Sequence, residues 1–260
     1  MCKFIKKNGG RVLLKTPVES LVVSGDKVKG IKLESGETRM YDEVISSMPM
    51  TQLVERMKNL PPKVEKANKA LKYRNTVIVY LQIRSKNIFP DNWIYVHSTD
   101  LRMGRVTNFR NWLPSINKGK KETILALEYW CFDEDDFAKW TDKQYIELAN
   151  QEIVKTGLVK EKDLMDGKVI RVSKSYPVYS SGYRKPLKVV EDYIRSFSHL
   201  QLIGRYGSFK YNNQDHSILM GIMAAENITD GANNDLWDTN SDYEYQESST
   251  ITAAGLTVKE

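Results

Sequence analysis

The chain has 260 residues, of which 41% are hydrophobic, and a formal net charge of +6 at pH 7. This length and apolar content suit one large or two modest domains with a real core. No run of about 18 apolar residues occurs, so we expect no transmembrane helix. The first residues, MCKFIKKNGG, lack the apolar segment of a signal peptide. The lysines are scattered and form no basic stripe with interleaved aromatics, which disfavours nucleic-acid binding.

Cysteine and histidine usage excludes other classes of protein. Cys2 and Cys131 form no disulfide framework and match no metal-ligand spacing. The histidines His97, His199 and His216 lie far apart in the sequence, with no neighbouring metal ligand. We therefore predict no metal site, and a reducing cytoplasm as the compartment.

The first fifth of the chain reads as a small β unit. Ser24-Gly25-Asp26 predicts a hairpin turn between apolar runs that favour strands. The predicted strands are 11–14, 18–23, 28–33, 39–41 and 42–46. From these residues alone, a plain β-meander is an adequate interpretation.

The middle of the chain alternates between strand and helix signals. Residues 50–75 read as helical, with a break at Pro61-Pro62. Further strands are predicted at 76–83, 93–97, 104–108, 123–131 and 169–173. Helices are predicted at 141–156, capped by Thr141 or Asp142, and at 186–197. Without a repeated βαβ pattern, these elements predict an α+β (mixed α/β) fold with an antiparallel sheet that helices cover on one face.

One hairpin in this region, LRMGRVTNFRNW, is rich in arginine. Arginine forks bind phosphate or carboxylate groups through two parallel hydrogen bonds. We therefore predict Arg105 and Arg110 as substrate-binding residues. The alternative is a surface hairpin with solvated arginines, one of which pairs with Glu128.

The most informative stretch is 200–228, LQLIGRYGSFKYNNQDHSILMGIMAAENI. An apolar run ends on Gly204 and Arg205 follows, which predicts a buried strand that meets a turn. A helix is predicted from Ser217, capped by Asp215 or Ser217. Gly221 costs a helix about 1 kcal/mol, which makes sense if a ligand approaches the helix backbone closely. The alternative is a core strand followed by a core helix.

The pattern GRxGxxxYNNQDHS followed by AAENI resembles the C-terminal flavin-binding segment of one superfamily. Its members are FAD-dependent amine oxidases, protoporphyrinogen oxidases and UDP-galactopyranose mutases. In that family a helix N-terminus points at the flavin ring, and the resemblance implies FAD as the cofactor. The implied cofactor-binding residues are Val18, Ser47, Met48, Gly204, Arg205, Asn213, Asp215, His216, Ser217, Ile218 and Gly221. Of these, Val18 would meet the adenine, and Ser47 and Met48 would lie near the pyrophosphate and adenosine. Arg205 would meet either the cofactor's phosphates or a carboxylate that fixes the turn. Ser217 and Ile218 would offer their N–H groups to the flavin, and His216 would touch the flavin ring or form a local hydrogen bond.

The resemblance also implies a division of the chain. Residues 1–64 and 186–247 correspond to a partial FAD-binding domain, 65–185 to an inserted substrate-binding domain, and 248–260 to a tail. The segment SYPVYSSGY is similar to the family's segment before the last FAD helix, where tyrosines line the substrate side. Tyr176 and Tyr179 are therefore predicted to bind substrate, with simple aromatic packing in a turn as the alternative.

The family's first motif, G-x-G-x-x-G after a strand, is absent from these 260 residues. We therefore expect a C-terminal fragment or one half of a split protein, with weak or no FAD binding by the isolated chain. The leading interpretation is a flavin-dependent oxidoreductase acting on a small-molecule substrate. One alternative is a mutase-like isomerase that uses reduced FAD on a nucleotide sugar. Another is a non-catalytic fragment that binds a companion chain carrying the G-x-G-x-x-G half.

Overall fold

The structure is a computed structural model that describes residues 1–117, 119–240, 249–252 and 255–258. The α-helices are α1 (Cys2–Lys7), α2 (Met50–Glu55), α3 (Pro62–Ala70), α4 (Phe109–Trp112), α5 (Asp142–Lys155), α6 (Arg184–Arg195), α7 (Gly204–Gly207) and α8 (Gln214–Thr229). The strands are β1 (Val18–Ser24), β2 (Lys27–Leu33), β3 (Thr38–Met40), β4 (Val44–Ser46), β5 (Tyr73–Ile83), β6 (Trp93–Tyr95), β7 (Arg105–Asn108), β8 (Thr123–Cys131), β9 (Leu164–Pro177), β10 (Leu200–Leu202), β11 (Ser249–Thr252) and β12 (Gly255–Val258). Single 3₁₀ turns occupy Pro114–Asn117, Asp136–Lys139, Glu161–Asp163 and Leu236–Asp238.

The chain divides into two compact units. The first unit comprises Met1–Lys72 and Tyr179–Glu260, and the second comprises Tyr73–Val178. The FAD-binding and substrate-binding roles of the two parts stay predictions. Of the predicted tail 248–260, residues 248, 253–254 and 259–260 lie outside the described residues, as do 241–247. Strands β11 and β12 pair antiparallel.

A three-stranded antiparallel sheet, in the order β1-β2-β3, opens the first unit. The Ser24–Lys27 pair closes the predicted hairpin, which confirms the turn at Gly25. The predicted strand at 11–14 is wrong, because those residues lie in an irregular segment. The helix α1 was not predicted, since MCKFIKK offers too few residues to show a helical period.

The two segments that resemble flavin-binding sequences meet in a parallel pair of strands. Leu200 pairs with Val44 and Leu202 with Ser46, so that β10 lies beside β4. This pairing confirms that the two ends of the first unit pack together. It also brings the carboxyl ends of both strands to one edge, where ligand sites form in α/β folds.

The second unit is built on a five-stranded sheet in the order β6-β7-β8-β5-β9. Every pair in it is antiparallel, as predicted. Alternate residues of β5 and β8 pack with Tyr145, Ala149 and Ile153 of α5 in the main core of the unit. Thr141 and Gln144 close a capping box at the start of this helix, which confirms the predicted cap.

The opposite side of this sheet carries a different set of residues, and we call it the second face. Its members on β5 and β8 form the cross-strand pairs Thr76–Trp130, Ile78–Glu128 and Tyr80–Ala126. Arg74 pairs with Tyr176 of β9, and Arg105 of β7 pairs with Glu128. The second face therefore gathers charged and aromatic side chains opposite the apolar core.

The predicted start of the last helix was wrong. Helix α8 begins at Gln214 with Asn213 at its N-cap position, whereas the sequence indicated a start at Ser217 with Asp215 or Ser217 as the cap. Gln214, Asp215 and His216 are polar and suggested a turn, but a first helical turn readily holds polar side chains. Helix α7 was also missed, because four residues show no period.

Candidate functional site

A cavity of about 680 Å³ lies at the beginning of α8. This volume falls within the range typical of small-molecule sites. Its lining residues are Ser47, Gly204, Arg205, Tyr206, Asn212, Asn213, Gln214, Ser217 and Ile218. Six of the eleven predicted cofactor-binding residues therefore line one space: Ser47, Gly204, Arg205, Asn213, Ser217 and Ile218.

Two glycines, one in the lining of this cavity and one beside it in α7, allow close backbone approaches. Gly204 has φ +76°, a left-handed conformation that favours glycine. Its N–H donates to the Sδ atom of Met220 at 3.3 Å, which links the end of β10 to α8. A Cβ at Gly207 would lie 3.0 Å from the main-chain oxygen of Ser46. The absence of a Cβ at Gly207 thus lets α7 pack closely on the end of β4, beside Ser47.

Arg205 holds the loop that leads into α8. Its Nη1 donates to the main-chain oxygen of Asn212 at 3.1 Å. Its guanidinium lies 4.1 Å from the ring centroid of Tyr211. The sequence suggested cofactor phosphates or a carboxylate as the partner, and the structure shows a main-chain carbonyl and an aromatic ring. Contact with a cofactor stays a prediction.

We expect Arg205→Ala to destabilise the chain by about 1.5–3 kcal/mol, because a charge-assisted hydrogen bond to the loop is lost. Urea unfolding of the purified variant measures this change. Arg205→Lys, which keeps the charge without the planar fork, should fall between the parent and the alanine variant. An unchanged unfolding midpoint for Arg205→Ala would show that this arginine does not hold the loop.

The start of α8 offers fewer free N–H groups than the sequence suggested. The N–H of Ser217 donates to the main-chain oxygen of Asn213 at 3.1 Å, and its Oγ donates to the same atom. The Ser217 N–H is therefore engaged within the helix, and contact of Ser217 with a ligand stays a prediction. The side chain of Asn213 caps the His216 N–H. The N–H groups of Gln214 and Asp215 precede the first bond within the helix and are the ones that a ligand can use.

Five predicted cofactor-binding residues lie outside the lining of this first cavity, and three of them, Asp215, His216 and Gly221, belong to α8. His216 accepts a hydrogen bond from the Asn213 N–H through Nδ1 at 3.2 Å, which is the local bond that the sequence left open. The carboxylate of Asp215 lies 3.6 Å from that Nδ1 atom. A Cβ at Gly221 would meet nothing within 4 Å, so the chain itself does not require glycine there.

A second cavity, of about 370 Å³, runs along β4. Its lining residues are Val18, Leu21, Ile31, Tyr41, Glu43, Val44, Ile45, Ser46, Ser47, Met48 and Leu53. The three residues predicted for the adenosine end, Val18, Ser47 and Met48, all line it. Ser47 lines both cavities, which therefore adjoin at the end of β4.

The two predicted substrate-binding arginines are engaged within the second unit. Arg105 donates from Nε and Nη2 to the two carboxylate oxygens of Glu128 at 2.8 and 2.6 Å. Burial lowers the pKa of Arg105, but the bonds from Glu128 outweigh it and hold that pKa above its ordinary value. Arg110 donates to Thr123 Oγ1 and to two main-chain oxygens. The alternative pairing of Glu128 with a hairpin arginine is confirmed, and substrate binding by either arginine stays a prediction.

The two predicted substrate tyrosines have different surroundings. Tyr179, in the first unit, accepts a hydrogen bond from the Tyr211 N–H at 2.9 Å and stacks on Tyr183 at 4.7 Å. Tyr176, in the second unit, meets the ring of Trp130 edge-on at 6.4 Å. The guanidinium of Arg74 lies 5.8 Å from the centroid of the Tyr176 ring. Sequence reasoning missed Arg74, which stands outside the arginine-rich hairpin.

Two negative observations apply to the described part of the chain. Its histidine, cysteine, aspartate and glutamate side chains form no group of three that could hold a metal ion. Its helices also include none that combines the length and the apolar character needed to cross a bilayer.

A sequence model of the flavin containing amine oxidoreductases matches residues 1–229. The chain belongs to this flavin-containing family. The match spans both compact units, which explains why flavin-like segments occur at both ends of the first unit. Flavin use is therefore a property of the family to which this chain belongs.

Solved structures share this fold. A reduced UDP-galactopyranose mutase superposes with a TM-score of 0.68 at 23% identity, over 78% of this chain and 44% of its own. A protein from Exiguobacterium sp. 255-15, provisionally named protoporphyrinogen oxidase, superposes with a TM-score of 0.56 at 16% identity, over 76% of this chain and 43% of its own. An oxidoreductase from Methanosarcina mazei superposes with a TM-score of 0.59 at 14% identity, over 86% of this chain and 51% of its own. The chain thus spans about half the length of these structures.

Proposed function

We propose that this chain supplies the ring-binding end of a flavin site in a flavin-dependent oxidoreductase that acts on a small-molecule substrate. The observation that supports it is the cavity of about 680 Å³ at the start of α8, lined by six predicted cofactor-binding residues. Helix N-termini stabilise negative charge through their free N–H groups and dipole. The flavin, when bound, supplies the hydride-accepting chemistry.

The residues of this chain fit the polar edge of such a ring. The N–H groups of Gln214 and Asp215 can donate to an electron-rich group that enters the cavity. Gly204 lets the backbone turn beneath it without a side chain in the way. Ile218, which is 62% exposed, offers apolar surface at the same place. Together these features suit a planar ligand with one electron-rich edge.

The companion chain with the G-x-G-x-x-G half belongs to this proposal as a partner. The Val44 N–H donates to the main-chain oxygen of His199, and that of Ser46 accepts from the Ile203 N–H, on either side of β10. The N–H and C=O of Ile45 therefore point to the other edge of β4. An exposed strand edge can accept a further strand. Leu219 and Ile222 of α8 are 47% and 51% exposed, and a helix packed against them would cover this apolar surface.

Titration of the chain with FAD and with riboflavin, followed by flavin fluorescence and the visible spectrum, tests the proposal. We expect weak binding of both, with dissociation constants within about tenfold of each other, because phosphate anchoring at a glycine-rich loop is missing. Binding of neither flavin would contradict the proposed site. FAD binding far tighter than riboflavin binding would support the site but contradict the expected weakness.

The mutase-like isomerase stays the second candidate function. The solved mutase shares the fold of this chain, but its identity of 23% supports no transfer of substrate. The observation that favours this candidate is Arg74 on the second face of the sheet. Its Nε is buried with no hydrogen-bond acceptor among the described residues, which suits an anionic substrate. Turnover of a nucleotide sugar by the chain in the presence of reduced FAD, measured by chromatography, is the test.

A further inference from the structure

Arg74 is a cation on the second face of the sheet. In the part of the chain that the structure describes, no carboxylate forms an ion pair with it, and its Nε is buried without a hydrogen-bond acceptor. Its guanidinium instead lies 5.0 Å from the ring centroid of Trp130 and 5.8 Å from that of Tyr176. An aromatic face attracts a cation, but it does not replace the oxygen acceptors that a buried guanidinium N–H needs.

Trp130 presents a second donor of the same kind. Its indole Nε1 is also buried, without an acceptor among the described residues. The neighbouring carboxylate on this face, Glu128, has both oxygens bonded to Arg105. Two donor-only groups therefore stand together where the nearby acid is already used. Native proteins leave few buried polar atoms unpaired, and such groups call for an explanation.

Two unusual backbone conformations support this arrangement of Arg74 and Tyr176. Between the pairs Arg74–Tyr176 and Thr76–Val172, residues 173–175 of β9 bulge opposite a single residue of β5. Lys174 in the bulge has φ +52°, a conformation that costs a non-glycine residue about 1 kcal/mol or more. The side chain of Asn75 holds the bulge by accepting the Lys174 N–H at 2.8 Å. Bulges of this kind re-aim side chains, and here the result is Tyr176 beside Arg74.

A glycine makes room for the other ring. A Cβ at Gly104 would lie 1.9 Å from Cζ3 of Trp130, so only glycine fits beside the indole. The Gly104 N–H donates to the main-chain oxygen of Glu128 at 2.9 Å, which fixes this approach. Trp130 and Tyr176 then meet edge to face, at 87°, around Arg74.

We propose that Arg74 and Trp130, with Tyr176 beside them, bind an oxyanion, namely a carboxylate or phosphate group of a small-molecule ligand. The oxygens of the anion accept from Arg74 Nε and Trp130 Nε1, and the surrounding rings exclude water and strengthen the bond. This inference rests on the proposed function, since it names the substrate class of the second unit as anionic. A cationic amine would meet an uncompensated positive charge there.

A purely structural role predicts a different result. If Arg74 serves only to stack on the two rings, then removing it costs packing and lowers the melting temperature. If Arg74 waits for an anion, then the ligand-free chain carries an unpaired charge, and Arg74→Gln should melt at the same or a higher temperature. The melting temperature without ligand therefore separates the two roles before any ligand is added.

The experiment compares the parent, Arg74→Gln and Arg171→Gln, without flavin, by melting temperature and by calorimetric titration. The probes are UDP as a phosphate, benzoate as a carboxylate and benzylamine as a cation. Arg171 is the matched control, because it too faces a ring, that of Tyr145 at 5.3 Å, but is paired with Asp142. We expect at least one of the two anions to bind the parent and Arg171→Gln alike, and to bind Arg74→Gln about tenfold more weakly or not at all.

Binding of UDP indicates a site for phosphate, and binding of benzoate indicates a site for carboxylate. Trp130→Phe keeps a ring but removes the Nε1 donor, so it should weaken the same anion without abolishing binding. The proposal is overturned if neither anion binds the parent, if Arg74→Gln binds as well as the parent, or if benzylamine binds in their place. Because no flavin is present, such a failure leaves the proposed flavin site untouched, and failure of flavin titration leaves this site untouched.

Discussion

Gly221→Leu is expected to abolish or strongly weaken flavin binding while the chain keeps or gains stability. A Cβ at position 221 meets nothing within 4 Å, so leucine has space in the folded chain. Leucine also favours a helix over glycine by about 0.8 kcal/mol. Residue 221 lies one turn beyond Ile218, which lines the cavity, and helical side chains lean toward the N-terminus. The leucine would therefore cover the space where the ring is expected.

Ala225→Leu provides the matched control for this substitution. Ala225 lies on the same side of α8, one further turn from the cavity, and is exposed. We expect Ala225→Leu to bind riboflavin like the parent and Gly221→Leu to bind at least about tenfold more weakly. Fluorescence titration with riboflavin and thermal melting of each variant give both quantities. If Gly221→Leu binds riboflavin as well as the parent does, the flavin ring does not lie at α8.

Long and strongly patterned elements were predictable from the sequence. The apolar run TILALEYWC became β8 with the predicted bounds, and Thr141 caps α5 as expected. The local composition of these elements is enough to identify them. The strand predicted at 11–14 failed, because a few apolar residues carry no information about a pairing partner. The length of β9 was underestimated, since its bulge at Lys174 interrupts the alternation that marks a strand.

The residues of the first cavity were largely predictable from the sequence. The cluster of Arg74, Trp130 and Tyr176, which we call the Arg74 cluster, was not. Gly204, Arg205 and Asn213 are close in sequence, so one motif could place them at one site. Arg74, Trp130 and Tyr176 come from three strands, and only the sheet register brings them together. The arginine-rich hairpin drew attention instead, although a pattern of charges cannot show that Glu128 already neutralises Arg105. Charge pairing across strands is a tertiary property.

Glu152 connects the core of the second unit to the Arg74 cluster. Its buried carboxylate accepts hydrogen bonds from the main-chain N–H groups of Arg102 and Met103 and from the Tyr129 hydroxyl. Burial and the neighbouring Glu152 carboxylate raise the pKa of Tyr129 well above its ordinary value, so that its hydroxyl stays a donor. The two main-chain bonds fix the segment just before Gly104, the residue that makes room for Trp130.

Glu152→Ala is expected to cause the largest loss of stability, about 3–5 kcal/mol, because three donors, one part-buried and two buried, lose their acceptor at about 1–3 kcal/mol each. Glu147→Ala, an exposed position on the same helix, should change stability by less than about 0.5 kcal/mol. Tyr129→Phe removes one donor together with its bond to Glu152. It should therefore lower the free energy of unfolding by less than Glu152→Ala does, by about 1 kcal/mol. Urea unfolding gives all three values, and hydrogen exchange at Met103 reports the freed amide. Equal unfolding midpoints for Glu152→Ala and Glu147→Ala would show that the carboxylate does not hold this segment, and the support that it gives to Gly104 and Trp130 would then have to come from the sheet alone.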